Sequence, residues 1–167
     1  MKTNRVILIT GSSSGIGHAV AARLAGPDVT LLLTGRNADR LSMVEGECHQ
    51  KGAAVETTVI DVTDREAFEK KILEWDDKHQ IDIVFANAGV SGGTSMDVQQ
   101  TEDQLRRIIE TNLIGMFNTV NPLIPRMTAR KSGHIVLMSS MAGFRGLPTA
   151  PAYSTSKVAV RGYGDAL

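Results

Sequence analysis

Tyr153 and Lys157 stand four residues apart in Ala152-Tyr153-Ser154-Thr155-Ser156-Lys157, with Ser140 thirteen residues before the tyrosine. On a helix that interval puts a phenol and an ammonium one turn apart on the same face. A free tyrosine titrates near pH ~10, too high for acid–base work at neutral pH, and a neighbouring positive charge favours the phenolate. Each unit of lowering asks for about 1.4 kcal/mol of differential stabilisation, within reach of a close lysine in a semi-enclosed site. Ser140 adds a hydroxyl that can donate to a carbonyl oxygen as negative charge builds on it. Tyrosine and lysine at this spacing also occur by chance on exposed helices, so the pair needs a second signal before it counts as a proton-transfer device.

That signal lies at the amino end. Val6-Ile7-Leu8-Ile9-Thr10 reads as a buried strand and runs straight into Gly11-Ser12-Ser13-Ser14-Gly15-Ile16-Gly17, followed by a helical pattern from His18 to Leu24. Strand, glycine-rich turn and helix make a phosphate cradle. Glycines admit close approach of the backbone, and the helix amino end offers unpaired N–H groups with a partial positive charge. The spacing is GxxxGxG, a departure from the commoner GxGxxG dinucleotide fingerprint, and an ordinary glycine-rich loop is the plainer reading.

Taken in chain order, Thr10 to Gly17, Asn87-Ala88-Gly89, Asn112, Ser140 and Tyr153 with Lys157 resemble the signatures of the short-chain dehydrogenase/reductase family of NAD(P)-dependent oxidoreductases, over almost the whole sequence. The resemblance implies hydride transfer between the nicotinamide and a small-molecule carbonyl or secondary alcohol. In the reductive direction Tyr153 would protonate the oxygen, Lys157 would hold the nicotinamide ribose and depress the tyrosine pKa, and Ser140 would polarise the substrate. Asn112 would hold a water and relay protons outward. Gly11, Ser13, Ser14, Gly15, Ile16 and Gly17 would cradle the phosphates. Asp61 would accept from the adenine amino group with Val62 packed on the ring, and Asn87, Ala88 and Gly89 would line the cofactor channel. Plainer roles exist for Asp61, as a cap of the next helix, and for Asn112, as a buried amide serving backbone groups. Ser139, one step off the family interval, reads as a strand-end residue. A non-catalytic NAD(P)-binding regulatory protein is the alternative. Loss of Asn112, Ser140, Tyr153 or Lys157 would have favoured it, and all four are present.

Cofactor choice is read at the end of the second strand, about twenty residues past the glycine turn, where NAD enzymes usually place an acid. In this family the acid would align with Gly35, and Arg36 follows with a guanidinium suited to a 2′-phosphate. NADP(H) is therefore favoured over NAD(H), although Ser12 and Ser13 stand where many NADP-preferring relatives carry a basic residue, and a solvated surface arginine is the plainer role for Arg36.

The elements that must position these groups alternate. Strand-like runs at Val6 to Thr10, Val29 to Thr34, Val55 to Ile60, Ile81 to Ala86 and His134 to Ser139 are separated by helical patterns, with capping-box forms at Thr63-Asp64-Arg65-Glu66 and Thr101-Glu102-Asp103-Gln104. The expected fold is α/β, a doubly wound Rossmann-like parallel sheet of strand order 3-2-1-4-5, in one NAD(P)-binding domain over residues 1–167. Ligands then sit beyond the carboxyl ends of the strands, where every signature above falls. Phe68 and Trp75, seven residues apart, are expected in the core. The sequence stops at Leu167, partway through the helix that Tyr153 begins. Family members continue there through two more strands and a segment that closes over substrate, so the natural protein is expected to be longer.

Composition agrees with such a domain: 167 residues, 42% hydrophobic and 22% charged, with 18 basic against 18 acidic side chains. The balance points to neither nucleic acid nor an anionic membrane as partner. The lone Cys48 has no partner for an internal disulfide, the opening apolar run is too short for a signal peptide or membrane span, and a cytoplasmic location follows. His18, His49, His79 and His134 are scattered without metal-ligand spacing. The family resemblance implies a homodimer or homotetramer, with Gly115, Met116 and Phe117 offering a contact. Substrate selection is expected from residues 90–96 and 141–152.

Overall fold

The run Val6-Ile7-Leu8-Ile9 is apolar at every position because both faces of its strand are covered. Val6 and Leu8 enter one core with Leu32, Val84, Phe68, Ile72 and Trp75, while Ile7 and Ile9 enter a second with Leu31, Leu33, Leu41, Val44 and Cys48. The computed structural model describes residues 4–92 and 101–167, so part of the expected selectivity segment, residues 93–96, lies outside them.

Five parallel strands, β1 (Arg5–Ile9), β2 (Val29–Gly35), β3 (Ala54–Val59), β4 (Ile83–Ala86) and β5 (His134–Leu137), form one sheet of order β3-β2-β1-β4-β5. The register sets Ile7 beside Leu31 on one side and Ile83 on the other. This is the doubly wound order that strand–helix alternation predicts. Helices α1 (Gly15–Leu24) and α2 (Ala38–Gln50) supply Ala21, Leu41, Val44 and Cys48 to one face. The other face is covered by α3 (Arg65–His79), α5 (Gly115–Val120), α6 (Ile124–Ala129) and α7 (Pro151–Ala166), with α4 (Glu102–Ile109) packed against α7. Phe68 and Trp75 are fully buried as expected, each contributing about 1.5–3 kcal/mol by burial, and the indole N–H of Trp75 donates to Glu56 at 3.0 Å.

Helix starts follow the capping chemistry with one shift. At Thr101 both bonds of the box are present, Gln104 N–H to the Thr101 hydroxyl and Thr101 N–H to the Gln104 side chain. At Thr63 the expected box is replaced. Asp64 caps α3, accepting from Ala67 N–H at 3.2 Å, because Thr63 already gives its N–H and its hydroxyl to Asp61. Asp61 is therefore not the helix cap.

Between α4 and α5 the helix passes through a π turn, Glu110–Ile114. Straight after it, Gly115 packs so closely that a Cβ would come within 2.4 Å of Val62, and Asn118 donates to the Val62 carbonyl at 2.9 Å. Gly115 and Met116 are consequently buried inside the chain and offer no subunit contact; of the three residues expected there, Phe117 alone is partly exposed, its ring tilted against that of Tyr163 with centroids 4.9 Å apart.

The far end of α3 is tied down by a buried carboxylate. Asp76, 2% exposed, accepts from Ile81 N–H at 2.9 Å, from Arg126 at 3.1 Å and from Arg130 at 2.9 Å. One side chain thus joins α3, the approach to β4, and α6 with the residue that follows it.

Candidate active site

All five strands end on one side of the sheet, and the segments leaving them line a single cavity of about 600 Å³. Its wall includes Gly11 after β1, Arg36 after β2, Asp61 and Val62 after β3, Asn87 to Gly89 after β4, and Met138 and Ser139 after β5, closed by Tyr153 and Lys157 of α7. The two ends of the sequence that carry chemistry therefore meet.

At the amino-terminal turn the glycines divide their work. Gly11, at φ +68°, lies so near β4 that a Cβ would stand 2.9 Å from the Ala88 Cα, and at Gly17 it would stand 2.3 Å from the Gly11 carbonyl oxygen. Those two permit packing, and Gly17 does not reach the cavity wall. Gly15, at φ +57°, has no atom of the described residues within 4 Å of where a side chain would be, and it lines the cavity where α1 begins. Ser14 at the N-cap of α1 gives no side-chain cap, so the first-turn N–H groups remain for an anion. The turn is held by Thr10, whose hydroxyl accepts from Asn87 and Ala88 N–H at 3.0 Å each, and by the Asn87 amide, which donates to the Thr10 carbonyl at 2.8 Å. Asn87 thus stitches β1 to β4.

At the end of β2, a Cβ on Gly35 would meet the Cβ and hydroxyl of Ser13 at 2.9 Å. The serine in the glycine turn and the absence of an acid at position 35 are two sides of one steric fact. Arg36 lies beside Asp61, Nη1 to Oδ2 3.4 Å. Burial alone would raise the Asp61 pKa, but the bonds from Thr63 and the charge of Arg36 outweigh it and hold the carboxyl below its usual range. Thr34 also lines this wall, and its buried hydroxyl has no hydrogen-bond partner among the described residues. An uncapped helix start, an open glycine and an orphaned hydroxyl along one wall fit a phosphate-bearing dinucleotide.

At the other end, α7 begins with Pro151, which suits a first helical position, and carries Tyr153 and Lys157 to the cavity on one face. Lys157 is 4% exposed, donates to the Met138 carbonyl at 2.6 Å, and lies 5.7 Å from the centre of the Tyr153 ring. Burial lowers its pKa. Ser139 lies two residues past the end of β5 and on the wall, its hydroxyl donating to the Lys157 carbonyl at 3.0 Å. Ser140 and Asn112 stand beside the wall without forming it. The Ser140 hydroxyl accepts from Ala142 N–H at 3.2 Å, opening a short 3₁₀ turn, Met141–Gly143. Asn112 lies in the π turn and is 2% exposed; its amide gives one N–H to the Val90 carbonyl and one to the Ser156 hydroxyl, while its oxygen accepts from Val90 N–H at 2.7 Å.

Residues 5–167 match the family described as short chain dehydrogenase. The chain belongs to that family. It is 38% identical over 164 residues to an uncharacterized oxidoreductase of Myxococcus xanthus, a match covering 98% of this chain and 64% of that protein's length. Among solved structures, NAD+-bound xylitol dehydrogenase is similar with a TM-score of 0.90 at 32% identity, over 99% of this chain and 65% of that one. A metagenomic short-chain oxidoreductase in complex with NADP follows at 0.89 and 27%, over 99% of this chain and 76% of that one. Among the described residues, no helix is long and apolar enough to cross a membrane, and no group of three His, Cys, Asp or Glu could hold a metal ion.

Sequence reasoning missed Thr34, Arg40, Thr111 and Met138 on the wall and gave Ser139 too small a part. Arg40 carries a readable signal, four residues after Arg36 at the start of a helix. Thr34 and Met138 carry none, because within apolar runs their types look like ordinary strand residues.

Proposed function

We propose that this short-chain dehydrogenase transfers a hydride between NADP(H) and a carbonyl or secondary alcohol, with Tyr153 as the proton donor or acceptor. When bound, the nicotinamide supplies or takes up the hydride. Tyr153 gives its phenolic proton to the substrate oxygen in the reductive direction. Lys157 keeps a positive charge beside the phenol and offers its remaining N–H groups to the nicotinamide ribose. Ser140 donates to the oxygen that gains charge. Asn112 has both amide hydrogens engaged, so its part is to fix Val90 and Ser156 around the site, and any outward proton path at this point uses the main chain of the π turn. Gly11, Ser13, Ser14, Gly15 and Ile16 receive the phosphates, with Gly17 packing beneath them, while Asp61 and Val62 hold the adenine. A dimer or tetramer goes with this reading, through the exposed edges of Phe117 and Tyr163.

The observation that carries the proposal is Lys157. A nearly buried ammonium whose hydrogen bond goes to a carbonyl, with no carboxylate of the described residues in ion-pair contact, weakens the fold and is retained where the charge is used. NADP is favoured over NAD because Ser13 excludes an acid at position 35 and Arg36 stands next to it.

The test is Lys157→Met. Turnover is expected to fall by about 10²–10⁴-fold and NADPH affinity, followed by nicotinamide fluorescence, by about tenfold, while the melting temperature holds or rises. The pH dependence has a definite sign. Because the folded-state pKa is lowered, the cost of the charge is fully present at low pH, where both states carry the proton, and it is relieved as pH rises toward the ordinary lysine value of about 10.4. The parent protein should therefore gain in melting temperature on the variant as pH rises. Undiminished turnover in Lys157→Met would overturn the mechanism.

A further inference from the structure

We propose that Arg40, on the first turn of α2, reads the 2′-phosphate of the cofactor together with Arg36; the inference rests on the NADP reading above. Arg36, Asn37 and Arg40 all line the cavity at the end of β2, beside Thr34 with its orphaned hydroxyl. The two arginines are not equivalent. Arg36 is already engaged by Asp61 across 3.4 Å, and Asp61 holds its own charge firmly. Arg40 uses its main-chain N–H to bond the Asn37 side chain at 2.8 Å, and its guanidinium makes no hydrogen bond or ion pair with any described residue.

The charge balance requires the second cation. A phosphate monoester brings about −1.5 to −2 at neutral pH. Arg36 alone would meet it with a charge already half-answered by Asp61, whose carboxylate would also repel it. Arg40 restores a net positive wall, and its planar fork suits bidentate contact with phosphate oxygens. The Asn37 cap fixes where α2 starts and so fixes Arg40 at the third helical position. The excluded side chain at Gly35 leaves this corner without a carboxylate that would favour the unphosphorylated ribose. Specificity therefore rests on two arginines working against one acid.

Adenosine 2′,5′-bisphosphate and 5′-AMP, titrated calorimetrically at fixed salt, isolate this corner from the chemistry. Arg40→Ala should weaken the bisphosphate at least tenfold, about 1.4 kcal/mol, and change 5′-AMP by less than about threefold, with Arg40→Lys recovering part of the loss. The NADPH to NADH affinity ratio should fall in parallel. Equal losses for both probes would make Arg40 a structural residue and overturn the proposal. No loss for either would leave Arg36 as sole reader, which also overturns it while the NADP reading stands. A parent protein that does not discriminate the two probes would overturn the NADP reading and this inference together.

Discussion

Replacing Tyr153 with phenylalanine is expected to lower turnover by about 10²–10⁴-fold while leaving NADPH affinity within about twofold. The substitution removes one oxygen and keeps the ring, so the wall that Tyr153 gives to the cavity and the Lys157 ammonium 5.7 Å from the ring centre both stay in place. What is lost is the phenolic hydroxyl to which the proposal assigns proton exchange with the substrate oxygen. The measurement is steady-state reduction of a carbonyl that the parent protein accepts, beside a nicotinamide fluorescence titration of both proteins. Lost turnover with retained binding separates proton transfer from binding. A parent protein that binds NADPH but reduces none of a broad panel of aldehydes, ketones and sugars would instead favour the non-catalytic reading, and a Tyr153→Phe protein with parental turnover would remove Tyr153 from the mechanism.

Asp76→Ala should have the largest effect on stability, a loss of about 3 kcal/mol from removing one partner of a buried, multiply bonded ion group. In a domain of this size that is roughly 6–12 °C in melting temperature. The change strips Arg126 and Arg130 of a shared acceptor and leaves the Ile81 N–H unanswered beside a small void. Burial by itself would raise the Asp76 pKa, but Arg130, the Ile81 N–H and Arg126 together pull it below the ordinary carboxylate value. With the folded-state pKa depressed, the stabilisation is fully present above the unfolded value of about 3.9 and is lost as pH falls through the folded one. The parent protein should thus lose stability in acid more steeply than Asp76→Ala. Denaturant melts from pH 7 down to pH 3 would show two curves that converge, whereas parallel curves would mean the carboxylate is not ionised in the fold.

Much of this architecture is legible in the chain because its signals are local. The apolar run Val6 to Ile9 reports a strand covered on both faces, the glycine turn reports where backbone must come close, and the box at Thr101 is realised bond for bond. Where the sequence misleads, a competing partner decides. Thr63 looks like a cap but is drawn to Asp61, and Met116 looks like a surface residue but faces the core. The π turn has no composition of its own and is visible only through what it permits, the approach of Gly115 to Val62. The coupling of Ser13 to Gly35 links two strands and could not be read from either alone. Among the site residues, Tyr153 and Lys157 meet as their spacing predicts, while Arg40 and Thr34 join them only through the fold.

The attachment of α7 differs in kind from that of the sheet. Of its five buried residues, Ala152, Ser154, Ser156, Lys157 and Val160, only two are apolar, and the helix is fastened instead through Ser139 to the Lys157 carbonyl, Lys157 to Met138, Asn112 to Ser156 and Leu147 to Ser154. Directional tethers of this sort lock one orientation but contribute little cohesion, whereas apolar burial contributes cohesion and tolerates repacking. Inheritance then acts differently on the two parts. Core positions such as Leu31 and Val84 can drift among aliphatic side chains with little consequence for the chemistry, while the handful of serines and amides around α7 form an all-or-none alignment, in which a single hydroxyl lost alters aim before it alters stability.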